Sequence, residues 1–320
     1  MPNLAKALRP GDNIGIIAPA SPPRSEERIE KSVRYFERLG YRVVLGRHLG
    51  GGDSAHHANG YLAAPDKDRL SDLHSMFRTK NIRAIFYHRG GYGSIRLLDK
   101  IDYDLVRRNP KIVVGYSDAT ALFAALYKKA GLRSCFFGPM PGVDLWDEID
   151  PFTEEKLWRA LTGTKPFDEL QLNSPSLRRR GPGGGPILGR MIGGNLTVFT
   201  SLLGTPYQPS FKSVIPFFEE IEEKPRKIDA NLAQLRLAGL FDSAKAILLG
   251  QFTNCVDNDA STLSLDEVFD DYFSKLRIPV ISNLPFGHEK KMWTIPFGAK
   301  IRVEKRKDQS KISVIENVLN

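Results

Sequence analysis

Short apolar runs alternate with helix-period segments through the first 130 residues, and this alternation restricts the fold more than any other feature. Asn13 to Ala18 (NIGIIA) is a buried strand, closed by the turn Ala-Ser-Pro-Pro. Ser25 is placed to cap a helix with Ile29, Val33, Phe36 and Leu39 on one face and Gly40 at its end. Tyr41 to Leu45 is the next strand. Asp66 to Lys80 repeats the helical pattern through Leu70, Leu73 and Phe77. Arg83 to Tyr87 and Lys111 to Val114 are strands, and Asp118 to Ala130 is an apolar helix. Strands alternating with helices at this spacing predict a mostly parallel α/β sheet.

The texture changes after Thr162. Gly163 to Gly189 holds four prolines, the run Gly-Pro-Gly-Gly-Gly-Pro and three successive arginines. The chain has 320 residues, and a domain averages about 150, so two domains are expected. The boundaries that follow are an N-terminal domain at 1–163, a Pro/Gly-rich linker at 164–188 and a β-rich α/β domain at 189–320. In the latter, Val214 to Phe218 and Ala246 to Leu249 are strands. Asp229 to Gly239 and Asp266 to Leu276 are helices, and the last 40 residues form short strands joined by Gly and Pro.

The charge invites a nucleic-acid partner, with 46 basic and 37 acidic residues for a net +9. Its distribution argues otherwise. Arg178 to Arg180 supply +3, and Lys300 to Lys311, with six basic and two acidic residues, supplies +4. Seven of the nine excess charges thus sit in two short segments, one in the linker and one on a strand where Ile301 and Val303 alternate with charge. No nucleic-acid partner is expected. No run approaches the roughly 18 apolar residues of a membrane span, and the N-terminus has no signal-peptide pattern. Two cysteines 120 residues apart, Cys135 and Cys255, form neither a metal motif nor a disulfide framework. A reducing cytoplasm, no membrane, no metal and no cofactor are the expectations.

The segment Lys111-Ile-Val-Val-Gly-Tyr-Ser-Asp-Ala-Thr120 carries the most chemistry. A buried strand runs straight into Ser117 and then a helix. A nucleophile needs that placement, exposed at the carboxyl end of a sheet with the Asp118 amide aimed at a developing oxyanion. Ala119 stands where a G-x-S-x-G elbow has its last glycine. The plainer alternative is that Ser117 or Asp118 caps the helix. The loop His88-Arg-Gly-Gly-Tyr-Gly-Ser94 follows another strand and matches no phosphate-binding pattern, which leaves a small-ligand or oxyanion loop or a tight turn. A serine needs a base and an orienting carboxylate. Only His288 of the six histidines lies in the second half, and acidic residues cluster at Glu219, Glu220, Glu222 and Glu223. Spacing alone does not select among them.

Taken together, these segments resemble the LD-carboxypeptidase family of serine peptidases, which includes the microcin C immunity peptidases. The resemblance runs through RGGYGSIRLL at 89–98, NPKIVVGYSDATAL at 109–122, IGGNLTVFTSLLGTP at 192–206, FFEEIEEKPRKIDANLAQLRLAG at 217–239 and PFGHEKKMWTIPFGAK at 285–300. It implies that Ser117 is the nucleophile, Glu219 the triad carboxylate and His288 the base. It also puts the oxyanion hole on the backbone amides of Asp118 and Gly91, and the active site in the cleft between the two domains. The implied reaction releases terminal D-alanine from murein tetrapeptides by an acyl-enzyme route, without metal, in a homodimer. The alternatives are a microcin-C-type peptidase cleaving aminoacyl-nucleotide amides and a noncatalytic ligand-binding protein on the same scaffold. Phe137, Arg226 and Glu289 depart from the family pattern, where His, Tyr and Gly are frequent.

Overall fold

The computed structural model describes residues 3–49, 60–166, 169–173, 176–177, 185–259, 261–306 and 309–320. Arg178 to Arg180, and residues 51–59 with His56 and His57, lie outside them. The chain packs into two compact units. One comprises Met1–Lys165, Lys290–Phe297 and Asn317–Asn320, and the other Pro166–Glu289 and Gly298–Glu316.

In the first unit, strands β1 (Asn13–Ile17), β2 (Arg42–Leu45), β3 (Ile82–Tyr87), β4 (Ile112–Gly115) and β5 (Cys135–Phe137) run parallel in the order β5-β4-β3-β1-β2. The central strands are apolar on both faces, as a sheet covered on both sides requires. Helix Glu26–Arg38 begins where expected, with the Ser25 hydroxyl accepting from the Arg28 amide. Its buried face differs from the expected one. Ser32, Tyr35 and Phe36 are buried, while Ile29 and Val33 are half-buried and Leu39 is exposed. The Trp158 indole turns the helix this way, donating to the Tyr35 hydroxyl at 2.8 Å and packing its ring edge-on to Phe36. The expected helix over 118–130 is α-helical only through Ala119–Ala125, then widens to a π turn at Leu126–Ala130 that Gly131 ends. One strand comes from far along the chain, since β12 (Ile295–Pro296) pairs antiparallel with β5.

The second unit is built on four parallel strands, β8 (Ile187–Asn195), β9 (Val214–Ile221), β10 (Ile247–Thr253) and β11 (Val280–Ser282). The hairpin β13 (Lys300–Arg306) and β14 (Gln309–Val314) pairs antiparallel beside β8. Ile301 and Val303 are buried and Arg302 is exposed, so the basic segment has the alternation expected of it. Residues 164–188, read as a linker, contribute strands β6 (Glu169–Asn173) and β7 (Ser176–Leu177). These occupy opposite ends of the sheet, β6 on β14 and β7 on β11. Asn173 and Ser176 are three residues apart, a span of at most about 11 Å. The facing ends of the two outer strands therefore lie within that distance, so the sheet is curled rather than flat. Composition hid these strands because they are short, carry polar residues and are flanked by Pro and Gly.

Candidate active site

The nucleophile candidate stands on the first unit. Strand β4 ends at Gly115, buried Tyr116 follows, and Ser117 turns the chain into helix Ala119–Ala125. Ser117 takes φ +59°, a left-handed conformation rare for a residue with a side chain. Such strain at a strand-to-helix turn projects a serine hydroxyl away from the sheet. Capping does not explain the pair Ser117-Asp118. Asp118 occupies the cap position by backbone, yet its carboxylate accepts no hydrogen bond from the helix. It accepts instead from the amides of Gly93 at 3.1 Å and Ser94 at 3.0 Å, tying the Gly-rich loop to the turn. Burial pushes the Asp118 carboxyl up, and those donated hydrogen bonds oppose the shift.

Glycines in the loop serve separate ends. A methyl at Gly91, whose φ is +109°, would lie 2.1 Å from the Ser21 hydroxyl oxygen. Ser21 belongs to the Ala-Ser-Pro-Pro turn, and its amide donates to the Gly90 carbonyl at 3.3 Å. Gly90 is the residue against the nucleophile: a methyl there would lie 3.0 Å from Ser117 Cβ and 3.1 Å from its Oγ. Buried Arg69 holds the loop from below through the Gly93, Pro19 and Ala64 carbonyls. Gly90 lies in the Gly-rich loop and Ser21 in the Ala-Ser-Pro-Pro turn that the sequence singles out, but neither had an assigned role, and Arg69 belongs to no motif.

His88 opens the same loop and is fully buried, with neither ring nitrogen hydrogen-bonded among the described residues. Burial first, then the Arg89 and Arg28 guanidiniums, pushes its imidazole down to about 4. Between the ordinary value of 6.5 and that value, the unfolded chain binds a proton that the folded chain refuses. Stability therefore falls as pH drops through this window. By pH 4.5 the loss from this group is about 2.5 kcal/mol. Urea unfolding at pH 7 and 4.5 should show a smaller acid loss for His88→Gln than for the native protein. Equal losses would mean His88 is not the group responsible.

The acid–base candidates stand on the second unit. Strand β9 carries Glu219 and Glu220, both buried, and period-2 alternation sends their side chains to opposite faces. Glu219 Oε2 lies 2.7 Å from His288 Nδ1, the geometry of a ring N–H donating to a carboxylate. Glu219 is fully buried, and its Oε1 has no hydrogen-bond partner among the described residues. Glu220 is used differently: it accepts from Asn195 Nδ2 at 2.6 Å and the Thr197 amide at 2.9 Å. Burial pushes its carboxyl up, and the neighbouring Glu219 adds to that shift. Glu222 and Glu223 lie past the buried run.

Two devices place His288. Strand β10 is irregular between Leu249 and Phe252, and there the Gln251 amide donates to the Phe286 carbonyl at 2.8 Å. Gly287 then takes φ +131°, where a methyl would lie 3.2 Å from both Glu219 Cβ and the Gln251 carbonyl. His288 Nδ1 is thereby turned onto Glu219. Of the departures from the family pattern, Glu289 is exposed and accepts from Thr253 Oγ1 at 2.8 Å. Phe137 is buried at the end of β5 with its ring 5.8 Å from that of Tyr116, and Arg226 is exposed on helix Pro225–Leu237. Among the described residues no three His, Cys, Asp or Glu side chains group as a metal site, and no helix is long and apolar enough to cross a membrane.

Comparison with known proteins bears on both units. Residues 14–138 match the family profile described as LD-carboxypeptidase N-terminal domain, and residues 188–303 the one described as LD-carboxypeptidase C-terminal domain. The probable murein peptide carboxypeptidase of Bacillus subtilis (strain 168) is 37% identical over 297 residues, covering 92% of this chain and 89% of the relative. Among solved structures, MccF in complex with glutamyl sulfamoyl guanosine superposes with a TM-score of 0.86 at 27% identity, over 100% of both chains. The muramoyltetrapeptide carboxypeptidase from Oxalobacter formigenes does so with a TM-score of 0.81 at 25% identity, over 95% of this chain and 99% of its own.

Proposed function

This chain belongs to the LD-carboxypeptidase family, and from that premise we propose that Ser117, His288 and Glu219 form one catalytic triad that removes the terminal D-alanine of murein tetrapeptides. The scissile amide joins that D-alanine to the L-centre of a diamino acid. The observation that carries the reading is the 2.7 Å contact between His288 Nδ1 and the fully buried Glu219 carboxylate. A buried carboxylate on Nδ1 fixes the imidazole tautomer in which Nε2 is unprotonated and is the ring's proton acceptor.

The steps follow from those roles. His288 Nε2 takes the Ser117 proton as Oγ attacks the carbonyl carbon, and Glu219 stabilises the imidazolium. The amides of Asp118 and Gly91 receive the oxyanion. As the C–N bond breaks, His288 returns its proton to the leaving nitrogen, and D-alanine departs. A water then gives a proton to His288 and its oxygen to the acyl carbon, releasing the shortened peptide and restoring Ser117.

The likeness to MccF keeps one rival in view, cleavage of an aminoacyl-nucleotide amide. Incubation with a murein tetrapeptide and, separately, with glutamyl sulfamoyl adenosine decides between them. D-alanine release with the sulfamoyl compound left intact is the expected result. Cleavage of the sulfamoyl compound alone would overturn the murein assignment, and hydrolysis of neither would favour a noncatalytic binding protein.

A further inference from the structure

Three guanidiniums crowd the nucleophile's side of the first unit without an ion-paired carboxylate among the described residues. Arg89 directly precedes Gly90, the residue against Ser117. It is half-buried and donates to the Pro22 carbonyl at 3.2 Å. Arg28 donates to the Gly142 carbonyl at 3.1 Å, and its guanidinium carbon lies 4.2 Å from the centre of the Trp146 ring. Arg24 is exposed two residues beyond Pro22. Burial, then the charges of Arg24 and Arg28, holds Arg89 below the usual guanidinium value. No ion pair joins any of the three to a carboxylate among the described residues.

Part of this arrangement opposes folding, against which stand the carbonyl contacts of Arg89 and Arg28 and the Trp146 ring under Arg28. Like charges repel, a half-buried guanidinium loses solvation, and Arg28 stands in the first helical turn, where the helix dipole disfavours cations. The neighbouring imidazole of His88, kept neutral by burial, adds no further charge. A cluster of guanidiniums with no ion-paired carboxylate among the described residues is suited to an external anion.

We propose that Arg89, supported by Arg28 and Arg24, binds the free carboxylate of the substrate's terminal residue and so makes the enzyme a carboxypeptidase rather than an endopeptidase. The inference rests on the carboxypeptidase reading above. In a peptide, the terminal carboxylate carbon lies within about 4 Å of the attacked carbonyl carbon, separated by the C–N, N–Cα and Cα–C bonds. A side chain one residue from the glycine that touches Ser117 reaches that far. A guanidinium also presents paired N–H donors matched to the two carboxylate oxygens, and one fixed contact to Pro22 leaves others to bind. Arg89 is thus a specificity-determining residue that acts on the leaving group.

The test compares kcat/KM for a murein tetrapeptide ending in D-alanine with that for the same peptide ending in D-alanine carboxamide. The native enzyme should prefer the acid by about 100-fold, the size of a charge-assisted bidentate contact. Arg89→Gln should lower the acid-to-amide ratio by about 30-fold or more, and Arg89→Lys should restore part of it. Arg28→Gln should lower the ratio by roughly 5-fold and serves if Arg89→Gln fails to fold. An unchanged ratio in a folded variant, equal loss on both peptides, or a native enzyme indifferent to the carboxylate would each overturn the inference. Failure of the native enzyme to release anything from either peptide would instead sink the carboxypeptidase reading.

Discussion

Ser117→Ala should abolish turnover, lowering kcat by at least about 10⁴-fold on the murein tetrapeptide. The loss is that large because the hydroxyl oxygen forms the acyl-enzyme, and water held in its place lacks its positioning. Folding should be untouched, since Ser117 is only half-buried and its backbone carbonyl, not its hydroxyl, accepts from the Thr120 amide. A companion variant separates strain from chemistry. Ser117→Gly removes the same hydroxyl but suits φ +59°, so it should be inactive and more stable than the native protein by about 1 kcal/mol. Calorimetry and a D-alanine assay on the two variants check both parts. Residual activity above 10% of native in Ser117→Ala, with contaminating peptidase removed, would rule out this serine as nucleophile.

Glu219→Gln carries the second-largest expectation, a fall in kcat of about 10³- to 10⁴-fold with the fold retained. The change is nearly isosteric, so its effect is one of proton placement. If the amide nitrogen faces His288, Nδ1 must become the acceptor, and the ring proton moves to Nε2. The base is then blocked where it should receive the serine proton. If the amide oxygen faces His288, the tautomer is correct but the imidazolium loses its countercharge. Either way the step from Ser117 to carbonyl slows. Glu220→Gln is the control on the adjacent residue, whose carboxylate serves Asn195 and the Thr197 amide. It should keep kcat within about tenfold of native. A Glu219→Gln enzyme within tenfold of native, or a Glu220→Gln enzyme equally impaired, would reassign the triad carboxylate.

The parts of this architecture legible in the sequence are those decided over short distances. Alternating apolar runs and amphipathic helices revealed β1 to β4 of the first unit, because each element there buries side chains at its own period, but not the three-residue β5. The turn at Ser117 was visible for the same reason, as a buried strand abutting a helix. Phe36 was on the expected helix face, but Ser32 and Tyr35 beside it were not, since Trp158, more than 120 positions away, bonds Tyr35. Nor could spacing choose Glu219 over Glu220. Both lie on an interior strand buried on both faces, and only the Phe286–Gly287 approach to the irregular β10 distinguishes them. Strands β6 and β7 escaped notice because their pairing partners, β14 and β11, lie at least 100 residues onward.

The partition of the chain also bears on how such a protein can be divided or inherited. The backbone passes from one unit to the other at 165/166, 289/290, 297/298 and 316/317. No single cut in the gene therefore yields two complete pieces. A fragment ending near residue 163 would lack β12, leaving β5 with an open edge carrying Phe136 and Phe137. Open apolar edges recruit other chains. Splitting such a protein at one seam therefore leaves each half without a strand or terminus that the other carries.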